Sequence, residues 1–322
     1  MANNTIQVGI IGTGTHGSRY ANHVVNDVEG VSLSAISRRS DAGEYQADGW
    51  DAAYFHDWRE LVASQEVQAV IAVTPPKINL EIARSCAEAG KPLLMEKPLA
   101  RNAGEAKEIV KVMAANNCQL TVGQTLRYNP VIQALQQQLP AMGKLYSFAV
   151  NQRIEPSTLA WHDNPKAAGA GVVIHTAVHI FDSLQVITGQ KIVTVLAAAR
   201  SVHSKRLEDL VTMLVEFEDG TIGTVDVSKV GPARSGRWEF ICQEGQLHGE
   251  QIHLQMSKIS GAMVAEKTHF EPLPTILPLL TDWRDFLQRK RANPVPGEDG
   301  LYAVRVCDAC LRSARTGVWV RL

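Results

Sequence analysis

The chain has 322 residues, of which 45% are hydrophobic and 20% charged, a globular composition that excludes a largely disordered protein. Against 32 Lys and Arg stand 33 Asp and Glu, a net charge of -1 with no basic cluster, which excludes nucleic-acid binding by phosphate neutralisation. Length alone predicts about two domains.

No uninterrupted apolar run approaches the roughly 18 residues of a membrane span, so none is expected. The opening Met1-Ala2-Asn3-Asn4 lacks the basic flank and apolar run of a signal peptide. The five cysteines, an odd and sparse set, fit a reduced cytoplasmic chain better than a disulfide scaffold.

The apolar run Ile6–Ile11 reads as a strand followed at once by a glycine turn. A helix is predicted from Arg19 to Val28, a strand from Val31 to Ser37 and another from Ala69 to Val73, stopped by Thr74-Pro75-Pro76. A helix over Ile78–Ala89 ends at Gly90, and a strand follows at Pro92–Glu96. Asn102 is placed to cap a helix running to Asn116, before a strand at Leu120–Gln124. Strands alternating with helices of this length predict a doubly wound parallel sheet, a Rossmann domain, over residues 1–124.

The pattern then changes. Strands are predicted at Gly143–Ile154, Lys191–Arg200, Leu210–Glu218, Thr221–Val230 and Trp238–Gln243, with Asp219-Gly220 as a hairpin turn, so residues 125–322 form an α+β domain on an antiparallel sheet. One helix interrupts them, Val172–Thr188. Pro272, Pro274 and Pro278 mark an irregular link before helices near Asp282–Arg291 and Leu301–Thr316.

Gly12-Thr13-Gly14-Thr15-His16-Gly17 is a G-x-G-x-x-G between a strand and a helix, the context a dinucleotide fingerprint requires. Gly12 permits the tight turn, Gly14 lets backbone approach a diphosphate at the helix N-terminus, and Gly17 lets helix and strand pack closely. An acidic residue about 20 positions on would accept from the ribose 2′-OH of NAD. Here that place reads Ser37-Arg38-Arg39, whose hydroxyl and guanidiniums suit a 2′-phosphate. NADP is therefore the expected cofactor, with NAD as the alternative. As bare residues, Arg38 and Arg39 could equally be solvated loop charges.

Beyond the fingerprint stand Ala72-Val73-Thr74-Pro75-Pro76, Ala89-Gly90-Lys91, Glu96-Lys97-Pro98-Leu99-Ala100, Arg127-Tyr128-Asn129-Pro130, Gly169 to Asp182 and Asp299-Gly300-Leu301. With these motifs nearly the whole chain resembles the glucose–fructose oxidoreductase, inositol dehydrogenase and rhizopine catabolism family, Gfo/Idh/MocA. The resemblance implies an N-terminal Rossmann domain and a C-terminal domain on a large, open, mostly antiparallel sheet. That sheet commonly packs face to face in homodimers or homotetramers, and the active site lies in a cleft between domains. It implies Lys97 as the group that holds and polarises the substrate oxygen, and Glu96 as a partner of the nicotinamide ribose. Thr74, Pro75, Asn79 and Gln124 join the cofactor set with Gly12–Gly17. Taken alone, Lys97 would read as a surface lysine before a turn-forming proline.

On the Val172–Thr188 helix, apolar almost all round, His175, His179 and Asp182 fall within about 60° of one another on one stripe. The family pattern, roughly G-G-G-x-x-x-D-x-G-x-H-x-x-D, makes His179 the general acid/base and Asp182 the final acid. It often has Asp where this chain has His175 and Gly where it has Ala177. A neutral His175 supplies no negative charge to Lys97, whose pKa would then fall toward proton-transfer range. Satisfied core histidines are the bland reading. His-x-x-x-His is also a metal-ligand spacing, with Asp182 or His162 as possible further ligands, but the resemblance implies no metal. Cys307-x-x-Cys310 lacks a second pair and reads as buried helix cysteines. Trp161 and His162 suit a sugar ring, apolar on one face and hydroxylated at its edge, and Arg127 and Asn129 are further substrate candidates.

The expected activity is hydride transfer between a nicotinamide cofactor and a hydroxyl or carbonyl of a sugar, polyol or cyclitol. The partner is that small molecule, with neither nucleic acid nor membrane. Two other classes exist among such relatives: non-catalytic dinucleotide-binding regulators, which the lost Asp at position 175 keeps open, and NAD-dependent glycosidases, whose Tyr-Pro-Thr-His-type segment is absent here.

Overall fold

The computed structural model describes residues 5–322, so the signal-peptide expectation at Met1–Asn4 lies outside the described residues. Six parallel strands form the first sheet: β1 (Ile6–Ile11), β2 (Val31–Ser37), β3 (Ala53–Phe55), β4 (Ala69–Ala72), β5 (Leu93–Glu96) and β6 (Leu120–Gly123), in the order β3-β2-β1-β4-β5-β6. Every residue of β4, β5 and β6 is buried, as continuous apolar strands with both faces covered must be. The helices between them are α1 (Gly17–Asn26), α2 (Ala42–Gly49), α3 (Trp58–Ala63), α4 (Asn79–Glu88) and α5 (Ala103–Ala115). The strand order reverses between β1 and β4, the place where open α/β sheets bind ligands beyond the strands' carboxyl ends.

The second sheet has nine strands. They are β7 (Leu145–Arg153), β8 (Ile192–Arg200), β9 (Leu210–Phe217), β10 (Ile222–Ser228), β11 (Ser235–Cys242), β12 (Gly245–Glu250), β13 (Gln255–Ser260), β14 (Met263–His269) and β15 (Val320–Arg321). Their order is β14-β13-β12-β11-β7-β10-β9-β8-β15, antiparallel throughout except for β7 beside β10. Alternate residues of β9, β10 and β11 are buried, so one face carries the core and the other faces outward. Phe148 stacks on Phe217 at 4.7 Å between ring centroids on the inner face. Helix α6 (Pro130–Gln138) lies over β12, where a Cβ on Gly249 would come within 2.8 Å of Leu135 and Val131.

The remaining helices are α7 (Pro165–Ala168), α8 (Val178–Thr188), α9 (Ile276–Leu287) and α10 (Gly297–Thr316). The segment Pro165–Thr188 contains an 18-residue window of mean hydropathy 1.4, long and apolar enough by composition to cross a membrane although His175, His179 and Asp182 interrupt its apolar run. With 83% of its 18-residue window buried inside the fold, it is a core helix.

Two compact units result. One comprises the chain up to Ala100 with Gly104–Thr125 and Pro274–Leu301; the other comprises Arg101–Ala103, Leu126–Leu273 and Tyr302–Leu322. The sequence assigns everything after residue 124 to a second domain, whereas Pro274–Leu301 belongs to the first unit. The reason is an apolar stripe, Ile276, Leu279, Leu280 and Trp283 at i, i+3, i+4 and i+7, which α9 buries against α1. Pro278, expected in a link, sits in the first turn of α9, where its missing N–H has no intrahelical partner to lose.

Candidate active site

In the first unit the fingerprint turn meets its steric requirements. Gly12 has φ +92°, and a Cβ there would lie 2.3 Å from the Val73 carbonyl oxygen. A Cβ on Gly17 would lie 1.9 Å from the Gly12 oxygen. Gly14 is the opposite case: nothing stands within 4 Å of its Cβ position, and it is exposed with Thr15 and His16 at the start of α1. Tight glycines beneath and an open glycine on top make the cradle a diphosphate needs, so the residues present fit a dinucleotide.

Beside the turn, Thr13 is buried and its hydroxyl donates to Gln46 Oε1 at 2.8 Å. Arg38 donates to the same oxygen and to the Thr13 carbonyl, both at 3.0 Å. Ser37 is buried and its carbonyl accepts from Gly12 N–H at 2.8 Å, while Arg39 is exposed. The three residues at the β2 end are thus divided: Ser37 supports the turn, Arg38 lies against it and Arg39 faces solvent. Gln46, which braces Arg38, carries no sequence signal.

Thr74 and Pro75 follow β4, and the Thr74 hydroxyl donates to Asn79 Oδ1 at 2.8 Å. Asn79 is buried, and its amide donates to the carbonyls of Pro98 and Leu99 at 3.2 and 3.1 Å. Its amide therefore serves the segment after Lys97, which contains the cis Lys97–Pro98 bond.

Glu96 ends β5 with 4% of its surface exposed. Its Oε1 accepts from the Tyr20 hydroxyl at 2.5 Å and from His16 Nε2 at 2.9 Å, and Oε2 accepts from Lys97 N–H at 2.8 Å. Burial pushes this carboxyl up, but the His16 and Tyr20 donors and the Lys97 charge outweigh it and hold the pKa below the usual range. Burial pulls half-buried Lys97 down and the Glu96 charge opposes it, leaving Lys97 below an ordinary lysine. Tyr20 is pushed well up, by burial first and then by Glu96. Gln124, just past β6, is fully buried, and neither polar atom of its side chain has a hydrogen-bond partner among the described residues. An orphaned buried amide is costly unless a ligand satisfies it.

In the second unit, the predicted helix from Val172 begins differently. Val173–Ala177 is a π-helical turn, and α8 follows. Such turns recur at functional sites, and this one holds His175. The His175 ring stacks on His162 at 4.6 Å, and Trp161 stands edge-on to both, at 4.2 Å from His162 and 5.3 Å from His175. His179 follows in α8, half-buried. Asp182 is bound by Arg127, which donates from Nε to Oδ2 at 2.8 Å and from a terminal nitrogen to Oδ1 at 2.5 Å. The expected stripe therefore splits, with His175 in the aromatic cluster and Asp182 in an ion pair. Asn129 caps α6 and donates to the Gln251 carbonyl, a structural post.

Three carboxylates shape this region. Glu208 Oε1 accepts from the N–H groups of Gly171 and Val173 at 2.8 and 3.2 Å, satisfying the start of the histidine-bearing segment. Burial pushes its pKa up. Asp209 accepts from the N–H groups of Val202, His203 and Ser204, and Asp163 from those of Lys205, Arg206 and Leu207. These bonds fix two loops around a cavity of about 220 Å³, lined among others by Leu159, His162, His175, Glu208 and Lys229. Glu208 and Lys229 sit in no motif, and sequence reasoning missed them.

Cys307 and Cys310 are buried on α10 with thiol pKa values raised by burial, so both stay protonated. Among the described residues no group of three or more His, Cys, Asp or Glu could hold a metal ion.

Two family models match the chain: the oxidoreductase family with NAD-binding Rossmann fold over residues 6–124, and the GFO/IDH/MocA C-terminal domain over residues 140–248. The chain is 28% identical to inositol 2-dehydrogenase 1 of Saccharopolyspora erythraea, covering 99% of this chain and 96% of that protein. It is 32% identical to inositol 2-dehydrogenase of Agrobacterium fabrum over 69% of this chain and 67% of that protein. A levoglucosan dehydrogenase solved in complex with NADH superposes with a TM-score of 0.88 at 20% identity, covering 98% of both chains, a likeness of fold.

Proposed function

The chain belongs to the Gfo/Idh/MocA family of oxidoreductases, and we propose that it transfers hydride between NADP(H) and a CH–OH or carbonyl carbon of a sugar, polyol or cyclitol. The observation that carries this reading is the Glu96–Lys97 pair at the end of β5, with Glu96 tied to the fingerprint turn and a lysine immediately after it. A bound nicotinamide supplies the hydride acceptor or donor.

The chain's own residues do the rest. Lys97 binds the substrate oxygen and stabilises the negative charge that develops there. His179 takes the hydroxyl proton in oxidation and returns it in reduction, a task for which imidazole is suited near neutral pH. Gln124 offers its unsatisfied amide to the cofactor. Trp161 and His162 present an aromatic wall to the substrate, and the 220 Å³ cavity takes hydroxyls remote from the reacting carbon. A panel of inositols, pyranoses and anhydrosugars with either cofactor, followed by nicotinamide absorbance, tests this reading; no turnover in either direction rejects it.

The NADP preference is supported by the absence of a carboxylate at the β2 end and by Arg38 and Arg39 there. NADP should bind at least about tenfold more tightly than NAD. Arg38→Ala with Arg39→Ala should remove that advantage while changing NAD affinity less than about threefold. A wild-type protein that binds NAD more tightly overturns it.

The outer face of the nine-stranded sheet exposes Leu214 on β9, Ile222 on β10 and Ile241 on β11, which supports a homodimer or homotetramer built face to face; a monomer by analytical ultracentrifugation would reject that assembly. All five cysteines are free, in keeping with a cytoplasmic enzyme.

A further inference from the structure

The fingerprint asks for no particular side chain at its fifth position, where this chain has His16. The ring does not serve its own helix: His16 is the N-cap of α1 and makes no side-chain capping bond. It reaches instead to Glu96, 80 residues away, with Nε2 at 2.9 Å from Oε1. Tyr20, one turn further along α1, donates to the same oxygen, and its ring meets that of His16 edge to face at 5.6 Å. The His16 side chain is 46% exposed and that of Glu96 is 5% exposed. One imidazole thus joins the open diphosphate turn to a buried carboxylate.

A buried carboxylate keeps its charge only when donors replace water. Glu96 has the His16 ring and the Tyr20 hydroxyl on one oxygen and the Lys97 N–H on the other. Its charge is in turn what favours the ammonium of Lys97 against burial. Because ionised Glu96 can only accept, Nε2 of His16 must carry the proton.

We propose that His16 is a positioning residue for the reaction: its imidazole, with the Tyr20 hydroxyl, holds the Glu96 carboxylate against the Lys97 N–H and so keeps a negative charge beside Lys97. The proposal rests on the reading of Lys97 as the group that polarises the substrate oxygen. The groups facing the His16 ring are Glu96 from β5 and Tyr20 from α1; Arg38, from the end of β2, points one terminal nitrogen at the Thr13 carbonyl and Gln46 instead.

The test uses the full-length protein as wild type, His16→Leu, His16→Gln and Tyr20→Phe. Lys97 is labelled at pH 8 with an amine-selective acylating reagent, and its rate relative to Lys77 is read by peptide mass spectrometry. Without the imidazole donor more Lys97 is neutral, so His16→Leu should label several-fold faster, up to about tenfold for one pKa unit. Tyr20→Phe should move the same way, and His16→Gln, which keeps a donor, should stay near wild type. With turnover available, the alkaline limb of the kcat profile should move to lower pH by up to about one unit in His16→Leu and return in His16→Gln. Labelling of Lys97 unchanged in both His16→Leu and Tyr20→Phe, with wild-type circular dichroism, overturns the proposal. Failure of the polyol reading shows separately, as a wild-type protein that turns nothing over while the labelling still answers.

Discussion

Lys97→Met should lower kcat by about 10²–10⁴ where chemistry limits turnover, while dinucleotide affinity stays within about threefold of wild type. Methionine keeps the length and much of the bulk of the lysine stem, so the change removes charge and hydrogen-bond donors more than packing. The large factor follows from the site's dryness. Burial lowers the Lys97 pKa, and the same partial exclusion of water strengthens the field of the ammonium at a nearby oxygen. Cofactor binding should survive because Gly12, Gly14 and Gly17 do not depend on the ammonium. His175 gives this prediction a second arm. It stands where the family often has an anion, so His175→Asp should extend the alkaline limb of kcat to higher pH if a carboxylate there favours Lys97 as ammonium. Near wild-type turnover by Lys97→Met would remove the lysine's role, and overlaid pH profiles would remove the histidine's.

What could be read in the sequence was what local physics writes locally. β4 appears within the predicted Ala69–Val73 because a buried parallel strand is a continuous apolar run. The fingerprint was legible because two of its glycines are forced by contacts under 3 Å with the chain's own backbone. β12, β13 and β14 were not legible. Gly245 and Gly249 interrupt the alternation of β12, and β14 is exposed at six of its seven positions, so little apolar period marks it. α6 was missed behind Asn129-Pro130, which is its cap and first residue and reads equally well as a turn. The start of α10 was hidden by Gly297 and Gly300. A Cβ at those positions would press on Leu120 and Val122, so tertiary packing chose glycine against helix propensity. Site residues followed the same division. Lys97 and His179 sit in motifs, whereas Gln46 and Glu208 act through hydrogen bonds to Thr13, Gly171 and Val173 that no spacing announces.

Asp182→Ala should cost about 3–5 kcal/mol of stability, a fall in Tm on the order of 10 °C if the second unit unfolds cooperatively. Arg127 and Asp182 form a two-pronged ion pair with side chains only 13% and 1% exposed. Deleting the carboxylate takes a two-pronged acceptor from a guanidinium that water cannot fully reach, and the cost of keeping that charge buried, more than the lost attraction, sets the size of the effect. Replacing both partners by apolar residues of similar volume, Arg127→Met with Asp182→Leu, should recover most of the lost Tm, because the desolvation cost of both ions disappears with them. The two variants also separate the roles the sequence left open. A double variant that regains its Tm and keeps a wild-type KM makes the pair a brace between the turn that precedes α6 and α8 itself. One that regains its Tm while KM rises tenfold or more makes Arg127 or Asp182 a substrate contact. A single Asp182→Ala variant that loses less than about 1 kcal/mol would mean that the guanidinium finds water or another acceptor, and the buried-charge argument would fall.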